Sequence, residues 1–404
     1  MSDLYKYMSE TQIEGLNRPT EVATGLPGVA YTDQGFWELE RHNFFSARWM
    51  ACSHACELPN VGDVLPVSIA GFELVLTKDV DGVIRAFHNI CAHRGMRVLD
   101  VKGHGETAMR CPWHSWTYDL RGRLIATPNL GGVHIGELES FQCSDLGLQE
   151  VRCETFLDLI FVNIDGNAES LGDFLEPLKT RLQKYDLALL RPSGQLTNTT
   201  FKSNWKLVLE GGLEDYHLPW VHPQLGASAG TFVPEWDESG CYVGFTNCRP
   251  VKNRPGGGEL PNTVKRLPIF PHLRSDIPYG EMGNEGMIFM LPPTAVVAVM
   301  EDHVVLTVLA PQTLSQTEQR RSFLYIGDAA VSDEMQSNRD AVCNSWLEVG
   351  QQDAHLAGVL QKQHKLRSDI ATPVRFSPHW ESAVHHFQKM VIAHLLKRNL
   401  ASAD

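Results

Sequence analysis

The stretch EGGLEDYHLPWVHP, residues 210–223, sets two imidazoles, His217 and His222, beside three carboxylates, Glu210, Glu214 and Asp215. Two histidines and one carboxylate on one face of a metal leave positions open for oxygen and substrate. That is the donor set of oxygen-activating non-haem Fe(II) enzymes. On a helix over 204–217, Glu210, Glu214 and His217 fall at i, i+4 and i+7, a single stripe. Two helical histidines five residues apart diverge by roughly 140° of rotation. Pro219 is therefore expected to break the helix and let His222 return from the following turn. The candidate third ligand is Asp353, in EVGQQDAHLAGVLQ. On a helix it shares a stripe with Leu356, Ala357 and Leu360, where an ionised carboxylate is costly unless paired or metal-bound.

A second constellation lies upstream. CAHRG at 91–95 and CPWHSWTYDLRG at 111–122 supply Cys91, His93, Cys111 and His114. Two thiolates and two imidazoles from two short loops make a four-ligand site for zinc or an iron–sulfur cluster. Zinc fingers and ribbons pair Cys with Cys or His with His within each half. Here each half carries one of each, which suits a [2Fe–2S] Rieske centre with Cys91 and Cys111 on one iron and His93 and His114 on the other. Cys52, His54 and Cys56 form a competing cluster, but they sit in ARWMACSHACEL. That segment reads as a strand, where alternate residues face opposite ways.

These motifs resemble those of the α (terminal oxygenase) subunits of Rieske non-haem iron oxygenases, over about residues 35–398. In that family a helix carries (Asp/Glu)-x-x-His-x₄-His, and a later helix carries Asp with Gln eight residues on. Glu214, His217 and His222 match the first pattern, and Asp353 with Gln361 matches the second. The resemblance implies that His217, His222 and Asp353 hold a mononuclear Fe(II). It also implies that Glu214 is the carboxylate linking a Rieske histidine, His114, of one subunit to His217 of its neighbour in a homotrimer. Electrons would come from an NAD(P)H-dependent reductase with flavin and iron–sulfur centres. Two departures stand out: Gly211-Gly212 where relatives carry Asn and an aromatic, and Glu214 where ring-hydroxylating dioxygenases carry Asp.

Glu214 followed by Tyr216-His217 is similar to the subgroup that oxidises carnitine, glycine betaine, stachydrine and choline. The resemblance implies monooxygenation of a quaternary ammonium compound, by N-demethylation or C–N cleavage. Such a substrate wants an aromatic cage, for which Phe232, Trp236, Tyr242, Phe245 and Trp346 are candidates. The alternatives are an aromatic ring-hydroxylating dioxygenase α subunit and, in another class, an electron-transfer Rieske protein without catalysis.

The elements that must position these residues follow from periodicity. GFWELERHNFFSARWM at 35–50 reads as one helix. Short β runs with turn residues fill 51–165, including the Asp-Gly hairpin of DVDGVIRAF and a strand in LDLIFVNIDG. Helix is expected at 170–190, strand in QLTNTTFKS, and helix again from Asn204. Residues 226–285 read as long loops with short strands. MIFMLPPTAVVAVM and HVVLTVLAPQ read as two strands paired across MEDH. Helices are expected over 332–366 and 380–398. The fold class is thus α+β, with three segments. Residues 1–45 form an N-terminal helical segment packing on the catalytic domain. Residues 46–165 form a small all-β Rieske domain. Residues 166–404 form a catalytic domain with an antiparallel sheet flanked by helices.

Composition narrows the partners. The 404 residues carry a net charge of −13 without a basic patch, which argues against nucleic acid. No apolar run reaches about 18 residues, so no membrane span is expected. MSDLYKYMSETQIEG lacks a basic-then-apolar leader, and the nine cysteines are thinly spread. Together these read as a cytoplasmic protein with reduced thiols. No nucleotide-binding Gly-rich fingerprint occurs, so the nicotinamide belongs to the partner.

Overall fold

In a computed structural model of the chain, residues 3–141, 143, 146–225, 231–248, 270–277, 285–370 and 373–401 are described. They divide into two compact units, Trp49–Ala168 and a second built from Met1–Arg48 with Glu169–Asp404.

The first unit is all antiparallel β. Its strands are β1 (Met50–His54), β2 (Val64–Ile69), β3 (Phe72–Lys78), β4 (Ile84–His88), β5 (Ala108–Arg110), β6 (Thr117–Asp119), β7 (Leu124–Ala126), β8 (Glu150–Phe156) and β9 (Leu159–Asn163). A six-stranded sheet runs β1-β9-β8-β4-β3-β2, and β5-β6-β7 form a three-stranded sheet. The Asp81-Gly82 turn joins β3 to β4 with Gly82 at φ +76°, a conformation glycine adopts without a Cβ clash. Cys91 and Cys111 are buried in one core with Val64, Val75, Phe87, Met109, Trp116 and Tyr118. Cys52 and His54 are buried on β1, with Cys56 in the turn beyond it. His54 Nδ1 lies 3.7 Å from Asp158 Oδ2, a strand-packing arrangement rather than a metal site.

The second unit carries a seven-stranded antiparallel sheet. Its strands are β10 (Leu190–Phe201), β11 (Thr231–Trp236), β12 (Val243–Cys248), β13 (Glu285–Leu291), β14 (Ala295–Val299), β15 (Val304–Thr313) and β16 (Gln316–Ile326), in the order β10-β16-β15-β14-β13-β12-β11. MIFMLPPTAVVAVM is thus two strands rather than one, because Pro292 and Pro293 lack ladder donors and take the turn between them. The hairpin across MEDH joins β14 to β15. Most of the expected 226–285 loop region lies outside the described residues.

Register places Phe245, Ile288, Ala298, Val305 and Phe323 side by side on one face of this sheet. The long helix Gln336–Ile370 covers that face with Val342, Cys343 and Trp346. The last helix, Ser382–Ala401, adds His386, stacked on Trp236 of β11. Near the N-terminus the expected 35–50 helix is shorter. Gln34–Glu40 is α-helical, Arg41–Phe45 widens into a π turn, and β1 starts at Met50. Phe44 and Phe45 both reach Trp205, at 5.8 and 5.0 Å between ring centroids, so the widened turn directs two large rings into one core.

Candidate metal centres

The helix that leads to the histidines begins as the sequence suggests. Asn204 caps it by accepting from Lys206 N at 3.1 Å. Gln361 ties that start to the long helix: its Oε1 accepts from Asn204 N at 2.8 Å, and its Nε2 donates to the Tyr31 carbonyl at 2.9 Å. The helix Trp205–Gly211 then stops, with Gly212 as its C-cap. The single stripe over 204–217 therefore does not form. Two successive glycines end the helix, which leaves Glu214 in a loop and His217 as the N-cap of a short helix, Leu218–Val221. Pro219 sits in the first turn of that helix and starts it rather than breaking the earlier one, because a missing N–H costs nothing there.

Glu210 is accordingly directed elsewhere. Its Oε1 accepts from Tyr31 Oη at 2.8 Å and from Gln388 Nε2 at 2.9 Å. Burial pushes its carboxyl up to about 7, against the hydrogen bonds and the charges of Lys206 and Arg367. Beside it Lys206 and Glu40, both fully buried, pair at 2.7 Å. Burial lowers the pKa of the lysine and raises that of the glutamate, and each charge opposes the other's shift.

The loop and the long helix bring His217, His222 and Asp353 together, one ligand atom from each lying within 4.8 Å of the others. Asp353 Oδ1 is 2.9 Å from His222 Nε2 and 3.7 Å from His217 Nε2. The other nitrogen of each ring is occupied. His217 Nδ1 lies 2.5 Å from Glu214 Oε1. Glu214 Oε2 also accepts from the backbone N–H groups of Tyr216 and His217, which fixes the loop around the carboxylate. His222 Nδ1 lies 2.7 Å from Gln352 Oε1, which also accepts from Gln224 Nε2 at 2.8 Å. With both Nδ1 atoms donating, both Nε2 lone pairs face the Asp353 carboxylate. Three acceptors converging in this way repel one another unless a cation sits among them. The donor set fits a two-histidine, one-carboxylate iron. His222 is 1 % exposed, while Asp353 is 32 % exposed at its side chain, so the site is sealed behind one imidazole and open beside the carboxylate. Burial lowers the His217 pKa, but the Glu214 hydrogen bond and the charges of Glu214, Asp353 and Asp215 outweigh it, so the net shift is upward.

The cysteine and histidine loops of the first unit match each other. In each, the cysteine N–H donates to the carbonyl five residues on, Met96 or Trp116, at 2.8 Å. In each, the fourth residue after the cysteine donates back to it, Gly95 at 2.9 Å and Ser115 at 3.0 Å, with positive φ at both. The two loops thus present their ligands as a pair. His93 and His114 rings lie 4.6 Å apart, and His93 stacks on Trp116 at 4.7 Å. Cys91 is close enough to Cys111 to add to the rise in its pKa, and Tyr118 Oη reaches Cys91 Sγ at 3.2 Å. Burial raises the Cys111 pKa, while the N–H groups of Trp113 and His114 oppose that shift by donating to its sulfur. A single zinc would gather all four donor atoms within about 4 Å of one another. Among the described residues, His217, His222 and Asp353 are the one group of three or more such side chains whose ligand atoms all lie within 4.8 Å of one another. Cysteines paired with cysteines and histidines with histidines fit two metals, one per pair.

The five aromatic candidates do not form one cage. Only Phe232 and Phe245 touch each other among the described residues, at 4.8 Å between centroids, with Trp380 5.3 Å from Phe232. Trp236 stacks on His386 at 4.4 Å. Trp346 donates from Nε1 to His303 at 3.3 Å within the core under the long helix. Tyr242 corrects the expectation. Strand alternation places it opposite Phe245, and it packs edge-on against Phe289 on the other face of the sheet.

Two groups escaped the sequence reading. Gln352 and Gln224 have no spacing signal, since they act through a side-chain contact across 128 residues. Arg321, on β16, lies against Gly350, one helical turn before Asp353, and donates to the Trp346 carbonyl at 3.1 Å. Burial lowers its pKa to about 10, opposed by the Asp353 charge.

Residues 181–397 match the ring hydroxylating alpha subunit catalytic domain, and residues 48–142 match the Rieske [2Fe-2S] domain. The chain belongs to the ring-hydroxylating α-subunit family of Rieske oxygenases. It is an oxidoreductase with a Rieske cluster and a mononuclear iron, served by a reductase partner. It is 26 % identical over 397 residues to the glycine betaine monooxygenase oxygenase subunit of Pseudomonas aeruginosa, covering 92 % of this chain and 89 % of that one. It is 34 % identical over 215 residues to the carnitine monooxygenase oxygenase subunit of Escherichia coli, 52 % of this chain and 55 % of that one. The fold is that of the quaternary ammonium Rieske monooxygenase CntA in complex with L-carnitine, with TM-score 0.73 and 21 % identity over 93 % of this chain and 96 % of that one. Naphthalene 1,2-dioxygenase from Rhodococcus shares it, with TM-score 0.71 and 20 % identity over 94 % and 95 %.

Proposed function

We propose that this protein is the terminal oxygenase of a system that oxidises a quaternary ammonium or betaine-type small molecule, removing an N-methyl or N-CH₂ carbon. The near full-length match to a glycine betaine monooxygenase oxygenase subunit carries this reading, with Glu214 seated on His217 in support. Residues 46–165 serve as the Rieske domain, where Cys91 and Cys111 hold one iron of the cluster and His93 and His114 the other. Residues 166–404 form the catalytic domain, with residues 1–45 packed on it, and His217, His222 and Asp353 hold the mononuclear Fe(II). When bound, the cluster supplies single electrons and the mononuclear iron activates dioxygen.

The chain's own residues prepare that chemistry. Glu214 keeps a proton on His217 Nδ1, so that His217 Nε2 stays a lone-pair donor. In a homotrimer the same carboxylate joins His217 to His114 of the neighbouring copy. Phe232 and Phe245 offer ring faces to a methylammonium group. The net reaction inserts one oxygen atom of O₂ into a C–H bond beside nitrogen and releases the other as water, with two electrons from NAD(P)H through a flavin and iron–sulfur reductase and two protons from NAD(P)H and solvent. The resulting N-hydroxymethyl ammonium loses its hydroxyl proton to solvent and breaks its C–N bond, giving a tertiary amine and formaldehyde. The setting is the cytoplasm, and no helix among the described residues is long and apolar enough to cross a membrane.

The test is a product assay with a Rieske-type reductase, NADH and a panel of glycine betaine, carnitine, choline, proline betaine and aromatic acids. Released amine and formaldehyde from a quaternary ammonium substrate are expected. Hydroxylated arenes with the betaines untouched would refute the substrate class and leave the family assignment standing.

A further inference from the structure

The two histidines of the candidate iron site are held by different chemistry. His217 faces a carboxylate, Glu214, whereas His222 faces a neutral amide, Gln352. Gln352 immediately precedes Asp353, so one turn of the long helix supplies both the metal carboxylate and the group behind the buried imidazole. Gln352 Oε1 accepts two hydrogen bonds, from His222 at 2.7 Å and from Gln224 Nε2 at 2.8 Å. Gln224 is itself buried, in the turn Pro223–Leu225 that follows His222. The loop carrying His222 therefore grips Gln352 twice, through the ring and through Gln224. With Gln224 donating, the amide oxygen of Gln352 must face His222, and the proton of His222 must lie on Nδ1. That leaves the Nε2 lone pair directed at the site, 2.9 Å from Asp353 Oδ1.

We propose that Gln352, oriented by Gln224, is the positioning residue for His222: it fixes the tautomer and ring plane of the buried iron ligand through a neutral hydrogen bond, in contrast to the anionic one on His217. The inference rests on the reading of His222 as an iron ligand. Its consequence is an uneven ligand field, with the more basic imidazole on the Glu214 side. A neutral partner at the sealed ring also avoids placing a second uncompensated carboxylate beside Asp353.

The experiment uses the full chain with its cluster intact and the mononuclear site emptied by a chelator. Fe(II) is titrated back against a competing chelator, and the nitric oxide adduct is read by EPR. Replacing Gln352 with Leu removes the acceptor and should weaken Fe(II) binding about 10- to 100-fold, the usual cost of losing a partner behind a ligating histidine. Gln352→Glu keeps an acceptor and adds charge, so it should hold iron at least as tightly as wild type but with an altered adduct spectrum. Gln224→Leu leaves Gln352 in place but loosens it, and should give a smaller loss with a broadened spectrum. A Leu variant with wild-type affinity and spectrum overturns the proposal. Equal losses in the Leu and Glu variants also overturn it, since that pattern marks a packing role. Full Fe(II) retention in His222→Ala would instead remove the ligand assignment beneath it.

Discussion

Replacing Glu210 with Gln separates two placements of this residue. On a helical stripe it would face the metal. In the structure it faces the buried side chains of Tyr31 and Gln388. Its carboxyl is moved by burial from 4.5 to about 7. At 1.36 kcal/mol per pH unit, that is about 3 kcal/mol against the ionised form. Folded Glu210 holds its proton more tightly than the unfolded chain does, so stability falls as pH rises from 4.5 to about 7 and stays reduced above that range. Gln keeps the oxygen that accepts from Tyr31 and Gln388 but carries no charge to bury. Glu210→Gln should therefore change little at pH 5 and stabilise the second unit by up to about 3 kcal/mol at pH 8. With about 2 °C per kcal/mol for a unit of this size, the melting temperature should rise by about 6 °C at pH 8. Scanning calorimetry at the two pH values, with iron content measured in parallel, reads both quantities. Loss of mononuclear iron, or a melting temperature unmoved at pH 8, would refute the buried-network placement.

Lys206→Met leaves Glu40 buried without its cationic partner, with only Trp205 Nε1 donating to it. It should cost about 3–5 kcal/mol, whereas Lys206→Met with Glu40→Leu should recover most of that; chemical denaturation of the three proteins compares them. Glu214→Ala should keep the Rieske cluster and, with its mononuclear site filled by excess Fe(II), still lose steady-state turnover, so normal oxidation of the reduced cluster in a single turnover with substrate would sink the bridge assignment. Phe232→Ala should raise KM for a quaternary ammonium substrate roughly 2- to 30-fold, the range of about 0.5–2 kcal/mol for a cation over a ring face. Tyr242→Ala should leave KM unchanged because its ring lies across the sheet, and steady-state kinetics on one substrate compares the pair.

The candidate metal ligands were legible because ligand type and spacing are local facts. CxH…CxxH and ExxHxxxxH can be read without knowing how the intervening chain runs, whereas Asp353 was singled out by the family resemblance, and Leu356 and Leu360 of its expected apolar stripe are exposed. The β unit was legible for a similar reason, since the Asp81-Gly82 turn and alternating runs report hairpins directly. What failed was geometry between motifs. A helix drawn through Gly211-Gly212 put Glu210 on the metal side, when two glycines suffice to end it and a first-turn proline suffices to start another. The PPT turn hid in an apolar run because composition alone does not mark where a strand reverses. Tyr242 was misplaced because register, not proximity in sequence, decides which face a strand residue takes. Gln352, Gln224 and Arg321 act through tertiary contacts that leave no trace in local pattern.

Iron stoichiometry with EPR of the reduced protein tests the central claim most directly, comparing wild type with Asp353→Ala and Cys91→Ser. The expected result is about three irons per wild-type chain, a cluster of two plus one mononuclear. Asp353→Ala should keep the Rieske signal and about two irons, and Cys91→Ser should lose that signal. An Asp353→Ala protein that retains its full iron complement, or a Cys91→Ser protein with an unchanged Rieske signal, would contradict the assignment of these residues to two separate centres.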